Sequence, residues 1–336
     1  MVHRTVSRIT IEDVAKAAGV SRQTVSRAIN NLGEISPATR ARILQVAKEL
    51  GYLPSGVARS LATRSSHTIG LVVPDIANPF FSEIARGVEE AAYLAEYRVF
   101  LSNTAEDALR EWVVIEALEK QRVAGIIICS SRLPAEQVIA LRRSQTPLVF
   151  LNREVEGDQF SCLLVDDYNG ARQAVEYLLR RGHRAIGLLS GPSRSWSGQR
   201  RLTAYRETME RSGFRPAELW IVAGFPQIEG GKIAAQQLFS QAPEITAILA
   251  YNDLMAVGAT QACEQSGRRV PDDCAIIGFD DIPLAALVKP ALTTVHLEKQ
   301  EAGRRAFNLL RQLIENEKPG AITETLNTHL VVRESA

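Results

Sequence analysis

From residue 68 to the C-terminus, short runs of β-branched and apolar residues alternate with segments long enough for helices. Strands that alternate with helices of this length indicate parallel sheets joined by crossover helices. More than ten candidate strands indicate two sheets rather than one. The expected strands are 68–73, 98–102, 125–129, 148–151, 162–165, 185–189, 221–223, 247–250, 275–278, 293–297 and 330–333, with helical patterns between them, for example at 79–96, 170–181 and 254–266.

Polar and aromatic side chains follow the ends of these strands. In open parallel sheets, ligands bind beyond the carboxyl ends of the strands, so these residues form the expected binding site. Amides, carboxylates and guanidinium groups can hydrogen-bond several hydroxyls, and phenylalanine rings can stack on a sugar. Asn and Asp after a strand also commonly form turns, so each has a structural alternative. The candidates are Asp75, Asn78, Phe80, Phe81, Ser130, Asn152, Arg153, Ser195, Ser197, Arg201, Asn252, Asp253, Phe279 and Asp280.

The N-terminal segment contains three short amphipathic helical patterns. Thr10 and Ser21 are expected N-caps, and Gly19 permits a tight turn between the first two helices. A third helix is expected to begin at Ser36-Pro37 and to end at Gly51. The exposed face of the second helix carries only side chains that form hydrogen bonds, namely Arg22, Gln23, Ser26 and Arg27.

Charge is unevenly divided along the chain. Residues 1–67 carry a net charge of +6 and residues 68–336 carry −5, although the whole chain has only +1. A basic head predicts contact with a polyanion. A helix-turn-helix places its second helix in the major groove of DNA, where Arg can contact guanine and Gln can contact adenine. A small three-helix bundle with a solvated face would have the same pattern, so pattern alone leaves both possibilities open.

The head resembles that of LacI/GalR-type transcriptional regulators in two segments, IEDVAKAAGVSRQTVSRAIN at 11–30 and LGYLPSGVARSLA at 50–62. The resemblance implies a small all-α helix-turn-helix domain over residues 1–53. It implies a hinge helix and linker over residues 54–67, with the hinge helix folding on operator DNA. Leu61 would then wedge into the minor groove beside Val57 and Ala58, because an apolar wedge unstacks a base step and bends the duplex.

The same resemblance divides the DNA-contacting residues of the head into two groups. The expected base readers are Arg22, Gln23 and Arg27. Four hydroxyl residues either contact phosphates or cap helices, and the sequence does not separate these roles. They are Thr10, Ser21, Thr24 and Ser26.

The body resembles the core of this family, which is similar to periplasmic sugar-binding proteins. Matching motifs include Asn78-Pro-Phe-Phe81 and Gly278-Phe-Asp-Asp281. The resemblance implies two doubly wound parallel-sheet lobes, the first formed by 68–165 with 296–324 and the second by 166–295 with 325–336. Of the candidates above, it places in the effector cleft Phe80, Phe81, Asn152, Arg153, Arg201, Asn252, Phe279 and Asp280.

Within the family, the chain looks most similar to the ribose-sensing branch. It departs from that branch at Pro74, Pro226 and Leu297, which leave fewer groups to hydrogen-bond a pentose. Trp196, in the loop before a helical pattern, either closes over the ligand or packs on the surface.

These observations predict a transcriptional regulator, most simply a repressor, that acts as a homodimer on double-stranded operator DNA. A small effector, expected to be a sugar, would bind between the lobes and control operator affinity. No cofactor is expected, and no heptad tail that would build a tetramer follows Ala336. The alternative is a periplasmic-type sugar-binding protein without a regulatory role, which would share the body but not the basic head.

Other classes of protein lack their sequence signatures here. The chain has no GxSxG, no HExxH and no complete phosphate-binding loop, so an enzyme is not expected. It has no apolar run near the about 20 residues that cross a membrane, and no signal-peptide core. The four cysteines lack metal-ligand spacing and are expected to be buried thiols of a cytoplasmic protein.

Overall fold

The structure, a computed structural model, describes residues 9–30, 32–33, 35–52, 66–155, 157, 160–315 and 320–336. The chain divides into two compact units, residues 1–67 and residues 68–336. The predicted hinge residues Val57, Ala58 and Leu61 lie outside the described residues.

Within the described residues of the first unit there are three helices, α1 (Ile11–Ala18), α2 (Arg22–Ile29) and α3 (Pro37–Glu49). They pack around Val14, Val25 and Ile43, all fully buried. The expected caps are present at all three starts, because Thr10, Ser21 and Ser36 each accept a hydrogen bond from a backbone N–H of the first turn. The three-helix head predicted from the sequence is therefore confirmed, with each helix starting at its predicted residue.

The second unit is built on two six-stranded sheets. The first sheet contains β1 (Thr68–Val73), β2 (Arg98–Asn103), β3 (Ile126–Cys129), β4 (Leu148–Leu151), β5 (Ser161–Val165) and β11 (Thr323–Leu326) in the order β11-β5-β4-β3-β1-β2. The second contains β6 (Ile186–Ser190), β7 (Ile221–Ala223), β8 (Ala247–Ala250), β9 (Ala275–Asp280), β10 (Thr293–His296) and β12 (His329–Val331) in the order β12-β10-β9-β8-β6-β7.

Helices cover both sheets. Those of the first lobe are α4 (Pro79–Leu94), α5 (Ala108–Lys120), α6 (Ala135–Ala140), a 3₁₀ turn at Leu141–Arg143, and α12 (Lys299–Glu315). Those of the second lobe are α7 (Asp167–Arg180), α8 (Trp196–Arg211), a 3₁₀ turn at Glu218–Trp220, α9 (Ile228–Gln241), α10 (Asp253–Gln265) and α11 (Pro283–Leu287).

Strand pairing is parallel throughout the first sheet and, in the second, everywhere except between β10 and β12. Residues alternate along β3 between two apolar clusters, with Ile127 in one and Ile126 and Ile128 in the other. A sheet covered on both faces explains why its strands are almost continuously apolar in sequence. The predicted α/β architecture of two doubly wound lobes is thereby confirmed.

The chain passes between the lobes three times, after β5, after β10 and between β11 and β12. In the first lobe, α4 and α12 approach so closely that a side chain at Gly87 would lie 2.0 Å from the carbonyl oxygen of Gln300. The contact joins α12, where the chain returns to the first lobe after β10, to α4, the first helix of that lobe. Only a residue without a Cβ permits it.

The eleven strands expected from the sequence are present, each within two residues of its expected ends. The twelfth, β11, is absent from the alternating pattern, although a parallel strand that crosses between the lobes is expected near residues 322–328. Its sequence, Thr-Glu-Thr-Leu, is largely polar because it lies at the edge of the first sheet, with only Leu326 buried. The expected division between the first lobe and the last segment of the second lobe lies between residues 324 and 325. It falls inside β11, and all four residues of this strand pair with β5.

Candidate functional site

The predicted DNA-contacting residues of the head fall on two kinds of position. Arg22, Gln23 and Arg27 are exposed on α2. Ser21 caps that helix, accepting a hydrogen bond from the backbone N–H of Thr24 at 3.1 Å. Thr10 forms a reciprocal capping box with Asp13. The caps give Thr10 and Ser21 a structural role, and α2 exposes Arg22, Gln23 and Arg27 to solvent.

In the second unit, residues beyond the strands of both sheets meet in one place, called here the inner pocket. It is formed by nine of the predicted residues and four others. The predicted ones are Asn78, Phe80, Phe81, Ser130, Asn152, Ser197, Arg201, Asn252 and Asp280, and the additional ones are Glu106, Arg132, Pro226 and Tyr251.

The other five predicted residues lie next to the inner pocket but do not line it. Asp75 accepts a hydrogen bond from Gln227 of the second lobe at 3.1 Å. Ser195 caps α8, and Phe279 is fully buried beneath Arg201. Asp253 is also fully buried and accepts a hydrogen bond from the backbone N–H of Ile282 at 2.8 Å. Arg153 lines a second and larger space, described further below.

Arg201 organises the second-lobe side of the inner pocket. Its guanidinium donates to Asp167 at 2.7 and 2.9 Å and to the backbone carbonyl of Tyr251. It lies 3.5 Å above the centre of the Phe279 ring and 3.8 Å from the Asp280 carboxylate. Burial by itself would lower the pKa of Arg201, but these carboxylates raise it. Arg201 is therefore charged and fixed in orientation.

Asp280 stands at the end of β9 with a backbone φ of 111°, a conformation that non-glycine residues rarely adopt. The Lys299 ammonium donates to its carbonyl at 2.7 Å and so holds this strained turn in place. Burial raises the pKa of Asp280 well above its ordinary value, although Arg201 opposes that shift. A buried carboxyl beside a fixed guanidinium is a directional partner for a ligand hydroxyl.

Arg132 forms the first-lobe side of the inner pocket. It pairs with Glu106 at 2.6 Å, donates to the carbonyl of Ser130 at 2.7 Å, and reaches the Tyr251 hydroxyl of the second lobe at 3.4 Å. Both members of the ion pair are almost fully buried. Burial by itself would lower the pKa of Arg132, but Tyr251 and Glu106 raise it. The lobes are thus in direct polar contact across the pocket.

The inner pocket is nearly closed in this arrangement of the lobes. Its volume is about 20 Å³, which accommodates about one water molecule. Arg132 occupies part of the space between the lobes, so a larger ligand requires the lobes to separate or this side chain to turn. Among the described residues, the buried Oδ1 of Asn152 has no hydrogen-bond partner. It is an acceptor available to a ligand.

Sequence reasoning missed Glu106, Arg132 and Tyr251. Tyr251 is the first residue after β8, and Arg132 lies three residues after β3, so a search extended slightly beyond each strand would have included both. Glu106 lies three residues after β2 with φ of 61°. Its partnership with Arg132 has no local signal, because 26 residues separate the two.

The described ranges contain no group of three or more His, Cys, Asp and Glu side chains that could hold a metal ion. No helix within them combines the length and apolar character needed to cross a bilayer. The four cysteines are buried and unpaired, in agreement with the sequence analysis.

A helix-turn-helix head followed by a two-lobed core with a polar interlobe pocket defines the class of ligand-responsive DNA-binding regulators. The family profile "Bacterial regulatory proteins, lacI family" matches residues 10–55. The profile "Periplasmic binding proteins and sugar binding domain of LacI family" matches residues 66–330. The chain belongs to the LacI family of transcriptional regulators.

Named relatives cover nearly the whole chain. The transcriptional repressor CytR of Escherichia coli K12 is 35% identical over 326 residues, covering 97% of this chain and 96% of CytR. The regulator GalS of Salmonella typhimurium is 38% identical over 304 residues, covering 90% and 89%. These relatives are regulators of transcription rather than enzymes.

Solved structures agree with this membership. A complex of the transcriptional regulator CelR with cellobiose has a TM-score of 0.76 at 33% identity, covering 98% of this chain and all of that one. The lac repressor dimer bound to operator and the anti-inducer ONPF has a TM-score of 0.83 at 29% identity, covering 98% and 99%.

The Arg201 network predicts a large effect of removing its guanidinium. Arg201→Met leaves Asp167 buried without its cation, and we expect the free energy of unfolding to fall by about 3–5 kcal/mol at pH 8. The loss is smaller at pH 5. Burial already raises the pKa of Asp167, and without Arg201 it rises further, so at pH 5 protonation removes the buried charge. Urea unfolding followed by circular dichroism at both pH values measures this difference.

The matched control is Arg200→Met, which removes an exposed arginine from the preceding position of the same helix. We expect it to change stability by less than about 1 kcal/mol. Equal losses in the two variants, or a loss that does not depend on pH, would show that Arg201 does not neutralise buried charge.

Proposed function

We propose that this chain is a dimeric repressor whose affinity for operator DNA is controlled by a sugar bound in the inner pocket. The observation that carries the proposal is the convergence of residues from both lobes on one buried site. A ligand that contacts Asn152 and Arg132 of the first lobe and Asp280 and Arg201 of the second stabilises one relative position of the lobes. Its differential affinity for the two positions supplies the regulatory free energy.

The chemistry of the inner pocket supports a polyhydroxylated ligand. Amide, carboxylate and guanidinium groups lie on opposite sides of it, and the rings of Phe80 and Phe81 are 4.9 Å apart at its edge. Each sugar hydroxyl can donate to a carboxylate and accept from an amide or guanidinium. The CelR–cellobiose complex supports a sugar ligand by analogy. The function is exercised in the cytoplasm, where operator DNA lies.

On the DNA side, we propose that Arg22, Gln23 and Arg27 read bases in the major groove. The exposed face of α2 supports this assignment. The related structure of the lac repressor dimer bound to operator supports this assignment by analogy. The family resemblance further assigns the minor-groove wedge to Leu61.

For the dimer, we propose a first-lobe interface formed by the end of α4, by β2 and by the start of α5. β2 is an edge strand whose Phe100 and Leu101 are both about half exposed, although they point to opposite faces of the sheet. Leu94, 84% exposed, and Leu109, 72% exposed, flank it. Exposed apolar side chains on an edge strand and its two flanking helices mark an interaction surface.

Gln23→Ala tests the base-reading face. First, selection from randomised duplexes with the full-length protein defines a specific operator. By fluorescence anisotropy we then expect Gln23→Ala to weaken binding to that operator roughly fivefold or more, since a bidentate base contact contributes about 1–3 kcal/mol. Binding to random duplex should change little, and both affinities should fall steeply with salt because phosphate contacts release counterions.

The control for this measurement is Gln45→Ala, which removes an exposed glutamine from α3. A similar loss in the control, or equal losses on operator and random DNA, would remove Gln23 from base reading.

Asp280→Asn tests the inner pocket. Because burial disfavours the Asp280 carboxylate, a neutral amide of the same size should leave the core folded. We expect the variant to bind operator normally while losing the response to whichever pentose or hexose alters operator binding of the wild type. The loss in sugar affinity should be roughly two- to twelvefold, the range for one hydrogen bond between neutral groups. Anisotropy on the selected operator with and without each sugar measures the response, and calorimetry measures the affinity.

The control is Asp272→Asn, on an exposed loop of the second lobe. An intact sugar response in Asp280→Asn would place the effector elsewhere. A panel in which no sugar alters wild-type operator binding would overturn the proposed effector class.

Leu94→Asp combined with Leu101→Asp tests the dimer surface. Two carboxylates buried in an apolar interface would be left without partners, so the dimer should dissociate at micromolar concentrations. Sedimentation velocity should then show a particle of half the wild-type mass with unchanged secondary structure. Leu219→Asp is the control, because Leu219 lies on the 3₁₀ turn of the second lobe and its exposure is between those of Leu94 and Leu101. A persistent dimer in the double variant would exclude this surface.

A further inference from the structure

A second space, called here the outer compartment, lies between the lobes beside the inner pocket. Its volume is about 440 Å³, against about 20 Å³ for the inner pocket. At three places its lining continues directly from that of the inner pocket along the chain. Leu133 follows Arg132, Arg153 follows Asn152, and Trp196 precedes Ser197. The two spaces are therefore adjacent parts of one interlobe cleft.

The floor of the outer compartment is apolar. The first lobe contributes Leu133, Pro134, Val138 and Val155, and the second contributes the indole of Trp196. Trp196 is only partly buried and stands at the first position of α8. Such a floor suits the carbon skeleton or ring of a ligand and offers little to a compact hydrated ion.

The rim of the outer compartment is cationic. It carries Arg142, Arg153 and Arg194, against the single carboxylate of Glu154. The hydrogen bonds of Arg153, to the carbonyls of Ser131 and Leu133 and to the Ser131 hydroxyl, all use Nη1. Its Nε and Nη2 therefore remain available, since neither bonds to any residue that the structure describes. Guanidinium groups with free N–H donors favour carboxylate and phosphate oxygens.

We propose that the outer compartment binds an anionic substituent of the ligand whose sugar ring occupies the inner pocket. The effector is then a sugar bearing a carboxylate or a phosphate, with the carbon atoms that carry this group on the apolar floor. The inference rests on the proposed function, because the sugar ring defines the position of the substituent. It deepens that function by assigning a charge to the ligand.

The attraction between the rim arginines and an anionic substituent determines how much more tightly a charged sugar binds. Arg142 and Arg194 are exposed and Arg153 is partly exposed, so their attraction for the anion is screened by salt. An anionic sugar should therefore bind more tightly than its neutral counterpart, and this advantage should shrink as ionic strength rises. The sugar ring itself contacts the inner pocket in both cases, so Asp280 should matter equally to both compounds.

The test uses full-length protein and matched pairs of probes, measured by isothermal titration calorimetry at 20 and 300 mM salt. The pairs are ribose with ribose 5-phosphate, glucose with glucose 6-phosphate, and phenyl β-D-glucoside with 4-carboxyphenyl β-D-glucoside. In at least one pair we expect the anionic member to bind roughly tenfold more tightly at low salt, the effect of one charge-assisted contact. Arg194→Gln should reduce that advantage about two- to fivefold without changing the affinity of the neutral member.

Arg143→Gln is the matched control, because this arginine follows Arg142 on the same 3₁₀ turn but lines a different groove. It should keep the full advantage. Titration with inorganic phosphate alone distinguishes a site for the anionic group of a bound sugar from a site that binds any free anion. Phosphate that binds as tightly as the anionic sugar, and in an Asp280-independent manner, would overturn the single-ligand proposal.

The remaining outcomes separate this inference from the proposed function. If neutral sugars bind in an Asp280-dependent manner and no anionic member binds more tightly, the inference fails and the proposed function stands. If the advantage survives when Arg142, Arg153 and Arg194 are all replaced by Gln, the rim does not bind the anion, and the inference fails. If no member of any pair binds, the sugar ligand is overturned, and the inference fails with it.

Discussion

The buried guanidinium of Arg201 holds together the second-lobe half of the binding cleft. It links Asp167 at the start of α7, the carbonyl of Tyr251 after β8, and Asp280 at the end of β9, while Phe279 supports it from below. These are the ends of separate elements that would otherwise be free to shift. A planar cation with five fixed donors can satisfy several acceptors at once, and a lysine cannot reproduce that geometry. The relative positions of Asp167, Tyr251 and Asp280 therefore depend on it.

The first lobe has its own buried arginine, and the two sides meet at Tyr251. Arg132, paired with Glu106, reaches the Tyr251 hydroxyl, which also bonds to Ser195 at 2.9 Å. The carbonyl of the same tyrosine accepts from Arg201. A movement that separates the lobes must break the Arg132–Tyr251 contact and the Asp75–Gln227 bond. Neither bond joins two charged groups, so both exchange readily with contacts to a ligand. This is the property that a two-position cleft requires.

Most of the fold follows from local sequence. Strands buried on both faces are continuously apolar, so β3 and β8 are recognisable in isolation, and caps such as Ser36 fix the helix starts. The pattern fails at β11, because an edge strand has few apolar contacts and its pairing with β5 spans 161 residues. A strand that is buried on both faces can therefore be predicted from one sequence, and a polar edge strand cannot.

The binding cleft is predictable to a lesser degree. The rule that ligands lie beyond the carboxyl ends of strands found Asn152 and Asp280, and it also found Asn78 and Asn252. The side-chain oxygens of these last two cap α4 and α10, the alternative role that Asn after a strand commonly has. The rule does not indicate which residues share a pocket. Asn152 and Arg153 are adjacent in sequence, yet they line different spaces.

This separation of neighbouring residues explains how one cleft can have two chemistries. Successive residues leaving a strand point in different directions, so one can face the polar interior between the lobes while the next faces the cleft mouth. Arg132 and Leu133 show the same division as Asn152 and Arg153, and Ser197 and Trp196 show it from the second lobe. The inner pocket contains buried ion pairs that fix geometry, and the outer compartment has partly exposed guanidinium groups over an apolar floor. The proposed recognition of a sugar ring and the proposed recognition of its substituent therefore depend on different residues, and substitutions in the outer compartment leave the Arg201 network undisturbed.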